Sequence, residues 1–429
     1  MDEEGNPLTE MNDPHDLSSD PDTSEGFIRG SFSSFILYPA FSYLWFAGLF
    51  SLTGVWMQTL VLGWVSYELT GSAFLLAVFT AARLSPMFLG PIGGVLADRV
   101  NRVRFMMVVF LVMAIVSVGL ALLSSFGKLE YWHIVVGGFL LGIGGAPLQP
   151  ARVSMITDVV DRKDLTNAMA LNSVAFDITR VLGPAAGGLL LDFLGVANSL
   201  WISVIWYIVA IGSLVPIFNL NRSTNPATGS PFRDVYDGFK LVFTSRAILL
   251  VLCVTFVVNG LAWPVYQAFM PIFAKDILDA GPDGLGFLQT ASGIGALISA
   301  IALAYLGDVT YKGKIYILGS GLLGVFLLVF ALSESYLLSL AAMFTYGLVS
   351  SGFGVMQSTL LMTLSPPELR GRVMGMMIFF IGILPVGTLV HGAVAMLIGV
   401  PYATALAGAS LAVTMAAFFI WSPTLRKLS

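Results

Sequence analysis

Charged residues are scarce in this chain of 429 residues. Aspartate, glutamate, lysine and arginine make up 11% of it, whereas 57% of the residues are hydrophobic and the mean hydropathy is +0.87. Soluble proteins contain about 25% charged residues, which form the polar shell around their cores. Because the charges for such a shell are missing, the composition excludes a soluble globular protein and predicts an apolar surface that faces lipid.

Cysteine and histidine are almost missing too. The chain has one cysteine, Cys253, and three histidines spread widely, which excludes a disulfide framework and argues against a metal site. It contains no GxxxxGK[ST] loop for ATP phosphates, no HExxH pair and no basic domain for nucleic acid. We therefore expect no catalytic residues, no metal, no bound cofactor and no nucleic-acid partner. The chain is not expected to be an enzyme.

Long apolar runs fill the chain after residue 41. Each approaches the roughly 20 helical residues that cross a hydrocarbon core of about 30 Å. They predict spans at 42–66, 73–96, 104–126, 132–156, 166–191 and 196–218, and then at 248–273, 284–306, 314–333, 336–363, 372–394 and 399–421. The predicted fold is an all-α membrane protein with twelve transmembrane helices.

Segments of other composition divide the chain further. Residues 1–40 predict an acidic, disordered cytoplasmic tail, and 219–246 a cytoplasmic linker with an amphipathic segment around Phe232 and Tyr236. Between them lies an N-terminal six-helix bundle, 41–218. A C-terminal bundle, 247–422, and a short cytoplasmic tail, 423–429, follow. Related loops recur at offsets of about 200 residues, which indicates two pseudo-symmetric halves.

Lysine and arginine indicate the orientation. They concentrate in alternate connections and in the C-terminal tail, as with Arg99, Arg162, Lys312, Arg370 and Arg426. Cytoplasmic loops of membrane proteins carry this excess. Both termini are therefore expected in the cytoplasm, in a multi-pass protein of the plasma membrane or bacterial inner membrane.

Four segments carry a resemblance to a known superfamily. The loop GGVLADRVNR, between the second and third spans, resembles that of major facilitator superfamily transporters. The segments GVWMQTLVLGWVSYELTGSAF, DRKDLTNAMALN and PPELRGRVMG are similar to the exporter group that includes enterobactin and macrolide efflux proteins. The resemblance implies the major facilitator fold, alternating access, and export of a small organic molecule with the proton gradient as energy source.

The loop between the second and third spans is a candidate gate. Asp98 ends a helix, and Arg99 and Arg102 could reach a helix end or an acid of the other half when the cytoplasmic side closes. The loop's basic residues could equally serve only to set the topology. Its second copy, near Asp308, lacks the Asp-Arg pair.

The fifth predicted span contains a run of small residues. Gly183, Pro184, Gly187 and Gly188 resemble a signature associated with antiporters of the superfamily. Glycine permits close helix contact and proline bends a helix, which suits a rocking surface. Plain close packing is the alternative interpretation.

Three charges lie deep within predicted spans: Arg83, Asp177 and Arg180. Each costs about 2.5–3.5 kcal/mol at the bilayer centre on insertion scales, so each needs a reason. Asp177 and Arg180 share a helix face, and Arg83 lies at a similar depth. Two interpretations stay open: a structural salt bridge within the N-terminal half, or a role in binding substrate or protons.

The resemblance also implies that spans 1, 4, 7 and 10 line a central cavity. Each of their polar residues could instead bond a neighbouring backbone carbonyl. The cavity candidates are Gln58, Gln149, Arg152, Asn259, Trp263, Gln267, Tyr346 and Gln357. Together they predict a polar and aromatic cavity for a fairly apolar or amphipathic solute.

The sequence thus predicts a secondary active transporter, by resemblance a proton-coupled exporter of a siderophore, macrolide or drug-like molecule. Its expected partners are the lipid bilayer and the substrate, and it is expected to be monomeric. An importer or facilitator is the first alternative. The second, from another class, is a non-transporting membrane sensor, although the tail and linker are too short for a folded output domain.

Overall fold

The computed structural model describes residues 33–89, 101–220, 240–306, 310–366 and 369–428, and its regular elements are helices. Helices prevail because backbone N–H and C=O groups in lipid must bond within their own segment. The N-terminal half contains α1 (Ser33–Leu37), α2 (Pro39–Thr70), α3 (Ala73–Leu84), α4 (Arg102–Ser125), α5 (Tyr131–Val159) and α6 (Leu165–Leu214). The C-terminal half contains α7 (Arg246–Ile272), α8 (Gly281–Leu306), α9 (Lys312–Ala331), α10 (Tyr336–Leu364), α11 (Arg370–Ile381), α12 (Leu384–Ile398), α13 (Val400–Trp421) and α14 (Pro423–Arg426).

Each of the twelve predicted spans contains a described helix, the second one only as far as residue 89. Within the described chain, ten helical stretches are long and apolar enough to span a membrane, and one of them, Leu165–Ile217, has 53 residues. At about 1.5 Å per residue this stretch is long enough for two crossings. It breaks at Gly195, whose φ of 75° is a conformation that glycine adopts readily. The shorter helix α3 occupies the predicted second span, which confirms the all-α fold class.

We call the side of the molecule that carries Thr70, Tyr131 and Asp276 the upper face. The opposite side, which carries Pro39 and Trp421, is the lower face. Within the C-terminal half, α9 packs on α13 where two glycines meet: a Cβ built on Gly324 would lie 2.5 Å from the carbonyl oxygen of Gly408. Close backbone contact of this kind holds membrane helices together where lipid supplies no hydrophobic force.

The chain before α2 differs from the predicted tail. The Ser34 hydroxyl donates to the Asn167 side chain over 2.7 Å, and the Tyr38 hydroxyl donates to carboxylates of Asp164 and Asp161 over 2.7 and 3.1 Å. Residues 33–40 therefore belong to the folded bundle, because these bonds dock them on the loop between α5 and α6 and on the first turn of α6. Residues 1–32 and 221–239, with the predicted amphipathic segment, lie outside the described residues.

Candidate functional site

Two pairs of helices form the most extensive contacts between the halves, and both pairs approach closely toward the upper face. The break at Gly195 divides α6 into a first arm, before it, and a second arm, after it. The first arm packs on α8, where a Cβ on Gly188 would lie 2.6 Å from the Pro282 carbonyl oxygen and 2.8 Å from the Gly286 Cα. Similarly, α3 packs on α12, where a Cβ on Gly392 would lie 2.5 Å from the Ala77 Cβ. Since only backbone atoms meet at the first contact and a single methyl group lies at the second, the halves are closed against each other on this side.

The small-residue run of α6 lies at this junction. Gly183 faces the Trp56 side chain of α2, and a Cβ on Gly187 would lie 3.2 Å from the Met57 carbonyl oxygen. On the other side, the Pro184 carbonyl oxygen lies 2.8 Å from a Cβ built on Gly286. The run is therefore held between α2 of its own half and α8 of the other half. Its role in antiport stays a prediction.

A cavity of about 140 Å³ lies between the halves. Its walls come from α2 and α3 on one side and from α7 and α8 on the other. The lining residues are Val55, Trp56, Thr59, Leu60, Gly63, Phe79, Thr80, Arg83, Leu84, Gln267, Pro271 and Gln289. Pockets for drug-sized ligands measure about 300–1,000 Å³, so this cavity is smaller than a drug-sized ligand requires.

Arg83 is the charged residue of this wall. Its side chain is 9% exposed, and its Nη2 donates to the Val55 carbonyl oxygen over 3.2 Å. Its Nη1 is buried and has no hydrogen-bond partner among the described residues. Arg83 makes no ion pair with Asp177, contrary to the contact allowed by their similar depth, because α3 lies against α5, where Gly142 meets the Arg83 backbone.

Asp177 and Arg180 are both half-buried, and they form no ion pair with each other in this state. The Arg180 guanidinium lies instead over the Trp263 ring of the other half, 5.9 Å from its centroid, with a buried Nη2 that lacks a partner. A Cβ on Gly293 of α8 would lie 2.8 Å from the Arg180 carbonyl oxygen. Arg180 therefore contacts the other half through both its side chain and its backbone.

Three aromatic side chains pack beside Arg180. The Trp263 ring lies 5.6 Å from Tyr266 in an edge contact, and Tyr266 stacks on Tyr346 at 5.3 Å with an interplanar angle of 15°. Tyr346 is fully buried, and its hydroxyl has no hydrogen-bond partner in the described chain. Trp263 and Tyr346, both cavity candidates, are thus brought together with Arg180, and Gln267 lies in the cavity wall.

Gln58 is placed differently from the prediction. It is fully buried, and its Nε2 donates to the Ser117 and Ser203 hydroxyls over 2.6 and 3.0 Å, while its Oε1 accepts from the Tyr207 hydroxyl over 2.8 Å. These partners lie on α4 and on the second arm of α6. Gln58 therefore joins helices inside the N-terminal bundle and does not line the cavity.

Asn259 and Gln357 are also bonded within their own half. The Asn259 amide donates to the Thr255 carbonyl oxygen over 2.9 Å, and the Gln357 amide donates to the Thr255 hydroxyl over 2.6 Å. The Tyr316 hydroxyl contacts the same Thr255 hydroxyl at 3.0 Å. This network joins α7, α9 and α10, so the two residues are structural in this state, contrary to their predicted place in the cavity.

Gln149 and Arg152 pair with each other on α5. The Arg152 Nη2 donates to the Gln149 Oε1 over 2.5 Å, and the guanidinium lies against Gly48 of α2. Gln149 is exposed, whereas Arg152 is only 4% exposed and its Nε has no partner in the described part of the chain. Neither residue lines the cavity beside Arg83, so the structure does not bring all eight candidates into one site.

The predicted gate is described only in part. Asp98 and Arg99 lie outside the described residues. Arg102 forms an ion pair with Asp158 of α5, in its own half. The reach of Arg102 across the halves and the gating role both stay predictions.

A closed contact occurs instead at the upper face. The Tyr67 hydroxyl, at the end of α2, donates to the Asp276 carboxylate, beyond the end of α7. Beside it, the Lys275 ammonium lies 5.7 Å from the centroid of the Trp64 ring. Sequence reasoning missed this pair because each partner ends a predicted span, where polar residues are ordinary.

Trp56 and Gln289 were missed as cavity residues. A signal existed for Trp56, because Trp56, Thr59 and Gly63 share one face of a helix, whereas Gln58 lies on another. The sequence does not show which face of α2 meets the cavity, because that depends on how α2 packs. Gln58 was therefore predicted to line the cavity because it is polar. Gln289 carried no comparable signal.

The fold and the divided interface define the class of protein: a major facilitator transporter. The structure is similar to the crystal structure of a POT family transporter in complex with 5-aminolevulinic acid, with a TM-score of 0.75. That similarity covers 90% of this chain and 97% of the other at 10% sequence identity, so it bears on the fold alone.

The sequence narrows the class further. Residues 30–428 match the family described as transmembrane secretion effector, and the chain belongs to this family. It is 24% identical to the staphyloferrin A transporter of Staphylococcus aureus, over 86% of this chain and 92% of that protein. It is 23% identical to macrolide efflux protein A of Streptococcus pyogenes, over 80% of this chain and 85% of that protein.

These findings confirm the predicted resemblance to the exporter group. The protein is an integral, multi-pass membrane transporter of an efflux family, and not an enzyme.

Proposed function

We propose that this protein is a proton-coupled exporter of a small amphipathic organic molecule, such as a siderophore, a macrolide or another drug-like compound. It works by alternating access as a monomer in the bacterial inner membrane. The lower face, which carries Pro39 and Trp421, is cytoplasmic, in keeping with the lysine and arginine asymmetry of the sequence.

One observation carries this proposal: the interface of the halves is closed at the upper face while unpartnered buried polar groups lie between the halves. The Arg83 Nη1 and the Arg180 Nη2 are both buried without partners among the described residues. Unbonded cationic donors are costly in an apolar interior, and a transported solute or an altered packing of the halves would relieve that cost. The macrolide relative supports export as the direction, since its name describes efflux.

Alternating access needs contacts that form in one state and break in the other. The upper-face contacts of Tyr67 with Asp276 and of Gly188 with Gly286 join different halves, so both would break when that face opens. The Arg102–Asp158 pair lies within one half and would move as a unit.

Transport in everted membrane vesicles tests the proposal. Vesicles containing the protein are energised, and a fluorescent ΔpH probe is followed while siderophores, macrolides and dyes are added in turn. An exported substrate enters everted vesicles, and proton antiport then dissipates the ΔpH. Vesicles without the protein provide the baseline.

Two outcomes would contradict the proposal. Substrate accumulation in right-side-out vesicles, with none in everted ones, would favour the importer. Absence of substrate movement in both orientations by well-folded protein, over the whole panel, would favour a non-transporting role.

A further inference from the structure

The buried polar atoms of the cavity wall that lack partners among the described residues are hydrogen-bond donors. Two of its lining residues carry buried polar atoms without partners in the described chain: the Arg83 Nη1 and the Trp56 indole N–H. Both atoms are hydrogen-bond donors that have no ability to accept. Among the described residues that line the cavity, none is acidic.

The remaining polar residues of the cavity wall accept no hydrogen bond from the Arg83 Nη1 or the Trp56 N–H in the described chain. The Thr59 and Thr80 hydroxyls donate to the Val55 and Leu76 carbonyl oxygens of their own helices, over 2.7 and 3.0 Å. The Gln267 and Gln289 amides, from the C-terminal half, show no hydrogen bond within the described chain. They are adaptable, because each amide offers both donors and an acceptor.

The free-energy cost of burying Arg83 without a paired charge indicates which chemical group the cavity would bind. An arginine deep in a span is expensive unless its charge is paired, and Arg83 is nine-tenths buried with a single backbone acceptor over 3.2 Å. The guanidinium fork matches a carboxylate, which accepts two parallel bonds and supplies the opposite charge. The apolar wall of Leu60, Phe79 and Pro271 would contact the carbon skeleton of such a molecule.

We infer that the cavity between the halves is a binding site for the carboxylate group of an amphipathic organic anion, held by Arg83 and Trp56 with Gln267 and Gln289 closing from the other half. This inference rests on the proposed transport function and names the chemical class of its substrate. Because the site takes groups from both halves, the anion would bind most tightly when the halves close around it.

Equilibrium binding to the purified full-length protein in detergent tests the inference without requiring transport. Three probes share a naphthalene ring and differ in charge: 1-naphthoate, 1-naphthamide and 1-naphthylmethylammonium. Calorimetry should show the carboxylate binding at least about tenfold more tightly than the amide, as expected for a charge-assisted bond to a buried cation. The ammonium probe should bind least.

Variants assign the preference to the site. Arg83→Gln should abolish the preference for 1-naphthoate over 1-naphthamide, and Arg83→Lys should keep part of it, because the charge remains without the fork. Trp56→Phe, which keeps an aromatic ring and removes the N–H, should weaken the binding of 1-naphthoate and leave that of the ammonium probe, which has no acceptor, unchanged. Arg104→Gln is the matched control, since Arg104 is exposed at the lower end of α4 over the Phe218 ring and should leave the preference unchanged.

Several results would overturn the inference. Equal or tighter binding of the amide or the ammonium probe would do so, as would absence of binding by all three. If Arg83→Gln fails to fold, unchanged 1-naphthoate affinity in both Arg83→Lys and Trp56→Phe would have the same force. Export of a cationic substrate by a protein without the carboxylate preference would reject the anion site and leave the transport proposal intact.

Discussion

The hydroxyl of Tyr67, at the upper end of α2, donates a hydrogen bond to the carboxylate of Asp276, just beyond the upper end of α7. The two residues are 209 positions apart in the chain and belong to different halves. In the proposed alternating-access cycle this bond exists only while the upper face is closed, so its strength contributes to the balance between the two states.

Tyr67→Phe should therefore shift the protein toward the state that is open at the upper face. Loss of a bond of about 1 kcal/mol changes the ratio of the two states about fivefold. Spin labels at Lys128→Cys and Glu334→Cys, exposed upper loops of opposite halves, in a Cys253→Ala background, would report the change as a larger population at long distance. Tyr131→Phe is the matched control, because the Tyr131 hydroxyl donates to the Leu75 carbonyl oxygen within one half. An equal shift in both variants would refute the role of the pair.

Gly188→Ala should force the upper interface apart. The new methyl group would meet the Pro282 carbonyl oxygen at 2.6 Å and the Gly286 Cα at 2.8 Å, and overpacking costs about 1–3 kcal/mol. The same spin-label distances should lengthen, and transport should fall. Gly212→Ala, on the same helix, meets no atom within 4 Å and should change neither measurement. Normal transport by Gly188→Ala would show that the contact between α6 and α8 accommodates a methyl group and does not limit transport.

Gln58→Leu should destabilise the fold without changing the cavity. It removes three bonds, to Ser117, Ser203 and Tyr207, and leaves the buried Tyr207 hydroxyl without its acceptor, at a cost of about 1–3 kcal/mol. Thermal unfolding in detergent should show a lower midpoint, while the affinity for 1-naphthoate stays within about twofold of normal. Gln357→Leu should act similarly through Thr255. Loss of 1-naphthoate binding without a change in the unfolding midpoint would show instead that Gln58 lines the cavity.

Asp177→Asn should uncouple transport from protons. Asp177 makes no ion pair in this state, so its loss should not reduce the yield of folded protein. We expect proton-driven accumulation against a gradient to disappear, while exchange down a gradient survives. Arg180→Gln and the double variant separate the alternatives: a structural pair requires low yield in each single variant and recovery in the double. Fully coupled transport by folded Asp177→Asn would exclude a proton role.

Two truncations should differ although their end points are close. Deletion of residues 1–30 should leave transport within a few-fold of normal, because an acidic segment poor in apolar residues contributes little packing. Deletion of residues 1–38 also removes Ser34 and Tyr38 and should lower the unfolding midpoint. Hydrogen bonding to Asp164, with burial and Asp161 adding to it, raises the pKa of Tyr38 to about 12, so this hydroxyl remains a donor at neutral pH. Equal behaviour of the two truncations would show that α1 contributes nothing.

The sequence by itself determined that the surface of the protein faces lipid, how many spans are expected, and which fold class the chain adopts. A span is a local property: about 20 apolar residues suffice to predict a helix across lipid, and the order of loops then predicts the halves. The close packing around Gly183 and Gly187 was predictable for the same reason, since small residues have few other uses in a membrane helix.

The tertiary structure alone decided which polar side chain points where. Trp56 and Gln58 are two positions apart on α2, about 200° around the helix, so the rotation of that one helix sends the tryptophan to the cavity and the glutamine into the bundle. Arg83 had no partner that could be read from sequence, because its environment includes residues from α2, α5, α7 and α8, up to 206 positions away at Gln289. Contacts between halves depend on how two bundles meet, and no local pattern in either bundle contains that information.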